Sequence, residues 1–318
     1  MNLFKFVFSI LLLLNFLNAK DIDPTFTYMA KGGVTDLVFS ENKLYAATAA
    51  SSVDVFDIKT KTKINSIVLP KIKDFMGDII DSKIYSVDVL GNKTLILSQG
   101  EKGGRAVNIY ANKQLKEIIS AKKKMYIAKA KFIDEKTIIF ALLSNEVYTF
   151  DLVKNKIVKI KQISHSKFSN FILTEDKKSI IIADESGNLH MLNSRTLEEV
   201  RTFENQNLDN VFQVDTKNGV IITAGQDRRS VIYHLNNSTV YYKTASFLIY
   251  SAGLSPSGKL AAYASNEDNE VTVFNTVTKN DLHTLVQNPA TLTNILFINE
   301  NEIFVASDHK KINYYKID

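Results

Sequence analysis

The chain has 318 residues, with 39 Lys and Arg against 34 Asp and Glu, a formal charge of +5 and 45% hydrophobic residues. That is long and apolar enough to bury a substantial core. It contains no Cys and no Trp, which excludes disulfides, thiolate-held iron–sulfur clusters, thioether-attached haem and a lipid-modified cysteine.

The first 19 residues carry a single charge, Lys5, then an apolar stretch over 6–17 interrupted by Ser9 and Asn15, and end in Asn18-Ala19 ahead of Lys20-Asp21. A positive start, an apolar centre and a small-residue exit form the pattern of a secretory signal peptide. The stretch is shorter than the roughly 20 apolar residues a spanning helix needs, and no later segment approaches that length. The expectation is a signal peptide over 1–19 and an exported mature chain from Lys20 without a transmembrane segment. Its Lys-, Asn- and Ile-rich usage points to a bacterial periplasm.

The rest of the chain reads as short β-branched and aromatic runs separated by polar turns. A strand at 25–30 comes first and belongs to no repeat. The first repeat then divides into strands at 34–40, 43–48, 53–58 and 63–69, with Glu41-Asn42 and Lys59-Thr60-Lys61 as turns. Further repeats lie near 83–119, 127–163, 168–203, 211–245, 248–286 and 292–317. Their innermost strands begin near Lys83, Ile127, Phe168, Val211, Leu248 and Leu292.

In the third strands Tyr110, Phe150, Leu192, Tyr233, Phe274 and Tyr315 follow one another at 40, 42, 41, 41 and 41 residues. Phe56 precedes Tyr110 by 54, so one step carries an insertion. A period of roughly 40–45 built from strands is that of a propeller blade. The predicted fold is all-β, a seven-bladed WD40-like β-propeller forming one domain over 20–318. Its last repeat lacks an outer strand, and the strand at 25–30 is expected to supply it and close the ring, removing an exposed edge.

Connections such as Ala224-Gly225-Gln226-Asp227-Arg228-Arg229-Ser230-Val231 and Ala306-Ser307-Asp308-His309-Lys310-Lys311-Ile312 resemble the WD40 pattern of a small residue, an acidic turn and a β-branched strand. The Trp-Asp ending of that family is degenerate. Phe56-Asp57 and Phe150-Asp151 keep the acid, while Leu192-Asn193 and Phe274-Asn275 soften it to an amide. Without tryptophan, the chain looks more like the divergent periplasmic propellers of bacteria.

Within that group, three features are similar to the NapL family of accessory proteins of periplasmic nitrate reductase. They are the signal-like start, the Lys-rich seven-repeat layout, and the stretch Lys83-Ile84-Tyr85-Ser86-Val87-Asp88-Val89-Leu90 leading through Leu95-Ile96-Leu97-Ser98-Gln99-Gly100 to Gly103-Gly104-Arg105. The resemblance implies a non-catalytic role in maturing a molybdenum-containing reductase or supporting electron flow to it. The partner would then be a periplasmic redox protein or reductase subunit, with no cofactor bound by this chain.

Chemical motifs are sparse. The five histidines, His165, His190, His234, His283 and His309, occupy different places in their repeats and are not expected to converge on a metal. Asp184, Asp227, Asp268 and Asp308 recur in second-to-third strand turns, where they could ring the channel as calcium ligands, but their expected role is to hold tight turns. Gly100-Glu101-Lys102-Gly103-Gly104-Arg105 reads as a flexible hairpin, not a phosphate-binding fingerprint. A quinone-dependent dehydrogenase is disfavoured because the resembling enzymes use tryptophan and vicinal cysteines.

Charge is uneven: residues 113–167 hold 13 Lys against five acids. Nucleic acid is excluded by the expected compartment, and such a field suits steering an acidic partner or meeting an anionic surface. The insertion, Pro70-Lys71-Ile72-Lys73-Asp74-Phe75-Met76-Gly77-Asp78-Ile79-Ile80-Asp81, falls where partners of this fold usually dock. Phe75 and Met76 are residue types enriched at interface cores. The expected partner-binding residues are Phe75, Met76, Arg105, Lys124, Lys167 and Arg228, on a monomer with no catalytic, metal or cofactor site. Two other readings are a metal-dependent propeller hydrolase or lactonase and an outer-membrane assembly scaffold.

Overall fold

The computed structural model describes residues 19–318; the signal-like segment, up to residue 18, lies outside the described residues. Seven small sheets, antiparallel but for one edge strand, form a ring, a seven-bladed β-propeller. The inner strand of each sheet lies beside those of its neighbours, and the last, Leu292–Phe297, lies beside the first, Val34–Ser40. The first blade runs Val34–Ser40, Lys43–Thr48, Ser52–Asp57 and Thr62–Val68, close to the expected bounds. The others repeat this order from the channel outward.

Burial follows the repeat. Second and third strands are sealed, as in Thr137–Leu142 and Glu146–Asp151, while outer strands such as Lys156–Gln162 are almost entirely exposed. The apolar core is therefore not central. It lies in layers between adjacent blades: Ala47, Val53, Ile84 and Ile96 fill the first junction, and Val107, Phe132, Phe140 and Phe150 the second. This explains why the periodic aromatics are large, since a wedge-shaped gap between twisted sheets needs bulky side chains to reach close packing. Phe274 and Tyr315, at equivalent places, are fully buried.

The ring closes as the unpaired N-terminal strand implies. Phe26–Met29 pairs antiparallel with His309–Lys316, setting Phe26 opposite Tyr314 and Met29 opposite Lys311. Hydrogen bonds from Thr25 N to Tyr314 O and from Ala30 N to Lys310 O, both 2.8 Å, extend the seam. Tyr28, inward-facing, packs edge-on against Phe56 of the first blade at 5.3 Å and Phe304 of the seventh at 5.7 Å.

Two details depart from the expected layout. Lys20–Ile22 is a further strand, paired in parallel with Asp281–Leu285, so the sixth blade has five strands. The inner strand of that blade begins at Ala252, not near Leu248. The preceding segment bridges to the fifth blade, with Ile249 N donating to Gly225 O at 3.3 Å and Ala245 N to Arg228 O at 2.9 Å, while Ser246 N donates to Ser265 O of the sixth at 3.3 Å.

Candidate functional site

Strand direction alternates within a blade, so the connections between blades and those joining second to third strands emerge on one face. All six expected contact residues sit in or beside those connections. The insertion forms a miniature hairpin, Ile72–Lys73 paired with Ile79–Ile80. Its tip is organised by Asp74, whose Oδ1 accepts from Met76 N at 2.8 Å and Asp78 N at 2.9 Å. Gly77 completes the turn at φ +93°, a conformation side chains disfavour.

The tip holds its own shape and projects its side chains: Phe75 is 77% exposed and Met76 87%. They are not tucked between blades. The edge of the Phe75 ring rests over Gly103, where an added Cβ would come within 3.0 Å of it. The loop at 100–105 is a short 3-10 turn, Glu101–Gly103, supporting the insertion.

The other candidates are differently placed. Arg105 is half-buried: its guanidinium lies 3.6 Å over the Tyr85 ring centre and Nη1 donates to Ile127 O at 2.9 Å. It is committed to the rim of the channel. Lys124, left-handed at φ +52°, caps the turn Ala121–Lys123 and is exposed. Lys167 pairs with Glu185 at 2.9 Å, an exposed contact of small energetic value. Arg228 stands exposed at φ +64° in the turn after Gly225, several blades away around the ring. Phe75 rests on Gly103, two residues before Arg105 in the chain, whereas Lys167 and Arg228 share only the face.

The histidines stand apart, and among the described residues no three His, Asp or Glu side chains form a metal-holding group. The recurrent turn aspartates work structurally at two of the four positions. Asp227 accepts from Leu208 N at 2.8 Å, Asn207 Nδ2 at 3.2 Å and Arg229 N at 3.1 Å. Asp184 accepts from Ser164 Oγ, Ser186 Oγ and Ser186 N. Burial raises the Asp184 carboxyl, but His190 and these serines outweigh it and hold it at about 2. His190, 3.6 Å from Asp184 and 3.5 Å from Glu199, is raised above its ordinary value, chiefly by Asp184.

The most developed polar constellation lies in the channel mouth, on the same face as the hairpin. Six inner strands carry a β-bulge at the same register, at Thr35, Tyr85, Ala128, Ser169, Phe212 and Thr293. The next residue in each is polar: Asp36, Ser86, Lys129, Asn170, Gln213 and Asn294. Several reach sideways to the following blade. Val87 N donates to Asp36 Oδ2 at 2.9 Å, Ala130 N to Ser86 Oγ at 3.2 Å, and Ala252 N to Gln213 Oε1 at 3.2 Å.

Deeper, Asp88 accepts from Phe132 N at 2.7 Å and Asp215 from Leu254 N at 2.9 Å. The result is a polar girdle that ties blades together around an open axis. Two lysines of the basic segment point into it. Lys131 sits 3.6 Å from Asp36 and 3.8 Å from Asp88. Lys129 donates to Asn170 Oδ1 at 2.9 Å.

This girdle is absent from the expectations above, although a signal exists. A polar residue recurs inside otherwise apolar inner strands, with Ser86, Lys129, Asn170 and Gln213 spaced 43, 41 and 43 apart.

The fold and this face define a propeller whose distinctive features are the hairpin between the first two blades and the polar girdle on its inner strands. No known family model matches the chain, and no curated protein is detectably similar to it.

Proposed function

We propose that the protein is a non-catalytic periplasmic accessory factor of the NapL kind, which presents one propeller face to a redox protein or reductase subunit. The observation that carries this reading is the preorganised hairpin tip with Phe75 and Met76 standing clear of the fold. A turn whose backbone is already fixed loses little further backbone entropy on binding, and large exposed apolar side chains release ordered water when covered. Lysines around the tip, Lys71, Lys73, Lys102 and Lys124 among them, would speed encounter with an acidic partner without setting affinity. Maturation and support of electron flow would both begin with this docking.

The test is complementation. In a strain lacking the gene, the double variant F75S/M76S should reach wild-type abundance yet fail to restore reductase activity in periplasmic extracts. Full restoration by the double variant would remove the hairpin from the account.

A further inference from the structure

The outer strand of each blade ends its sheet, and its far edge stays open unless another strand pairs with it. The sixth blade shows what can do so. Lys20–Ile22 adds to Asp281–Leu285 in parallel, with Asp21 opposite Thr284 and Ile22 opposite Leu285. An outer edge of this propeller therefore accepts an extended segment from outside the repeat. The outer strand of the third blade, Lys156–Gln162, has no such strand beside it.

That strand reads Lys156-Ile157-Val158-Lys159-Ile160-Lys161-Gln162, with three lysines, three β-branched apolar residues and no acid. A bulge sorts them. Lys161, Lys159 and Lys156 lie opposite Val147, Thr149 and Asp151, while Ile160 and Ile157 lie opposite Tyr148 and Phe150, leaving Val158 as the extra residue. Val147 packs toward the fourth blade, and Tyr148 and Phe150 toward the second. The three lysines thus flank one groove and the two isoleucines the other. Without the bulge, strict alternation would set Lys156 on the side of Ile160.

None of these lysines makes an ion pair among the described residues. Lys159 Nζ reaches a carbonyl, Thr196 O, at 3.3 Å, and the Asp151 carboxylate is taken by its own turn, accepting from Val153 N at 2.9 Å and Lys154 N at 2.8 Å. Ile160 is 57% exposed. We propose that this edge binds an extended segment of a partner protein in which acidic and apolar residues alternate, added as a fifth strand. Its backbone pairs with the outward N–H and C=O groups, its acids lie beside the lysines, and its apolar side chains lie beside Ile157 and Ile160. A second copy of the chain is the wrong occupant, because antiparallel edge-to-edge pairing would set lysine against lysine. A flat anionic membrane is also a poor match, since the lysines and isoleucines point to opposite sides of the blade. Other free outer edges mix their charges, with Lys116 beside Glu117 in Gln114–Ile119 and Glu199 with Arg201 in Glu199–Phe203. The edge lies on the rim of the ring, so the proposal is independent of the hairpin face.

The test titrates the purified protein into three fluorescein-labelled, end-blocked peptides, EVEVEVE, KVKVKVK and the proline-interrupted EVEPEVE, read by anisotropy. Wild type should bind EVEVEVE saturably, by about tenfold or more tighter than either control, and added salt should weaken it. K159E/K161E should reverse the preference in favour of KVKVKVK at an unchanged melting temperature, and K124E on the hairpin face should leave binding intact. EVEVEVE should also slow amide hydrogen exchange in Lys156–Gln162. Should K159E/K161E fail to fold, the proline control and the exchange protection carry the test. No saturable binding, equal affinity for EVEPEVE, unchanged binding in K159E/K161E, or no added protection in this strand would each overturn the proposal. Binding to phosphatidylglycerol vesicles that K159E/K161E abolishes, with no peptide binding, would overturn it in favour of a lipid surface.

Discussion

Truncating Tyr28 to alanine isolates the closure of the ring. The side chain is 2% exposed and touches three other aromatic rings, Phe26, Phe56 and Phe304, with centroids 4.8, 5.3 and 5.7 Å away. Because Phe56 and Phe304 belong to the first and seventh blades, the lost contacts lie across the seam. Removing a buried aromatic side chain costs about 3–5 kcal/mol including the cavity left behind, and the edge-on ring pairs account for roughly 0.5–1.5 kcal/mol each of such contacts. At roughly 2 °C per kcal/mol for a chain of this length, Tyr28→Ala should melt about 6–10 °C below wild type. Met29 on the same strand faces outward and is 44% exposed, so Met29→Ala should cost less than about 1 kcal/mol. Urea and thermal unfolding of both variants give the comparison. If Tyr28→Ala unfolds within about 1 kcal/mol of wild type, the N-terminal strand is not what holds the ring shut.

The hairpin tip should behave oppositely, and F75S/M76S should leave the urea midpoint nearly unchanged, within about 0.5 kcal/mol, because little of either side chain is buried. Gly225→Ala should destabilise strongly, by about 2 kcal/mol or more, since its Cβ would collide with Asp227, Asn207 and Arg229 O; equilibrium unfolding decides it. The Asp184–His190 pair predicts two pH effects. Asp184 is depressed from 3.8 to about 2, so its stabilisation is present above pH 3.8 and fades as pH falls toward 2. His190 is raised above 6.5, so its share is full below that value and is lost as pH climbs through its folded pKa. His190→Gln should therefore flatten the stability profile above pH 6.5, as read from urea midpoints across pH. Elemental analysis of the purified protein should find no stoichiometric divalent metal; finding one would favour the hydrolase reading.

Most of the architecture was legible because it rests on one physical necessity repeated seven times. A wedge between sheets must be filled, so Phe56, Phe150, Phe274 and Tyr315 recur at the blade period. The missing outer strand of the last repeat likewise pointed to the pairing of Phe26–Met29. Lys20–Ile22 was not legible, since three residues with two charges carry no strand pattern, and only the free edge of Asp281–Leu285 selects them. The start of the sixth inner strand is not legible locally, because Ile249 has the character of a strand residue but bonds the fifth blade.

For the candidate site, the sequence located the insertion and its two apolar residues but not their posture. That depends on Asp74 and Gly77 shaping the turn and on Gly103 leaving room for the Phe75 ring. Arg105 is a partner-binding candidate by sequence, yet its stacking on Tyr85 depends on two strands meeting in space. The channel girdle depends on seven strands converging, which no local window contains.

The proposal that the hairpin face docks a redox partner is tested most directly by the affinity of the purified protein for a purified periplasmic reductase subunit, the partner class proposed for it. Binding to immobilised subunit should be saturable, and F75S/M76S should weaken it by at least tenfold while leaving the melting temperature unchanged. Equal binding by wild type and the double variant, or none by wild type, would contradict the account.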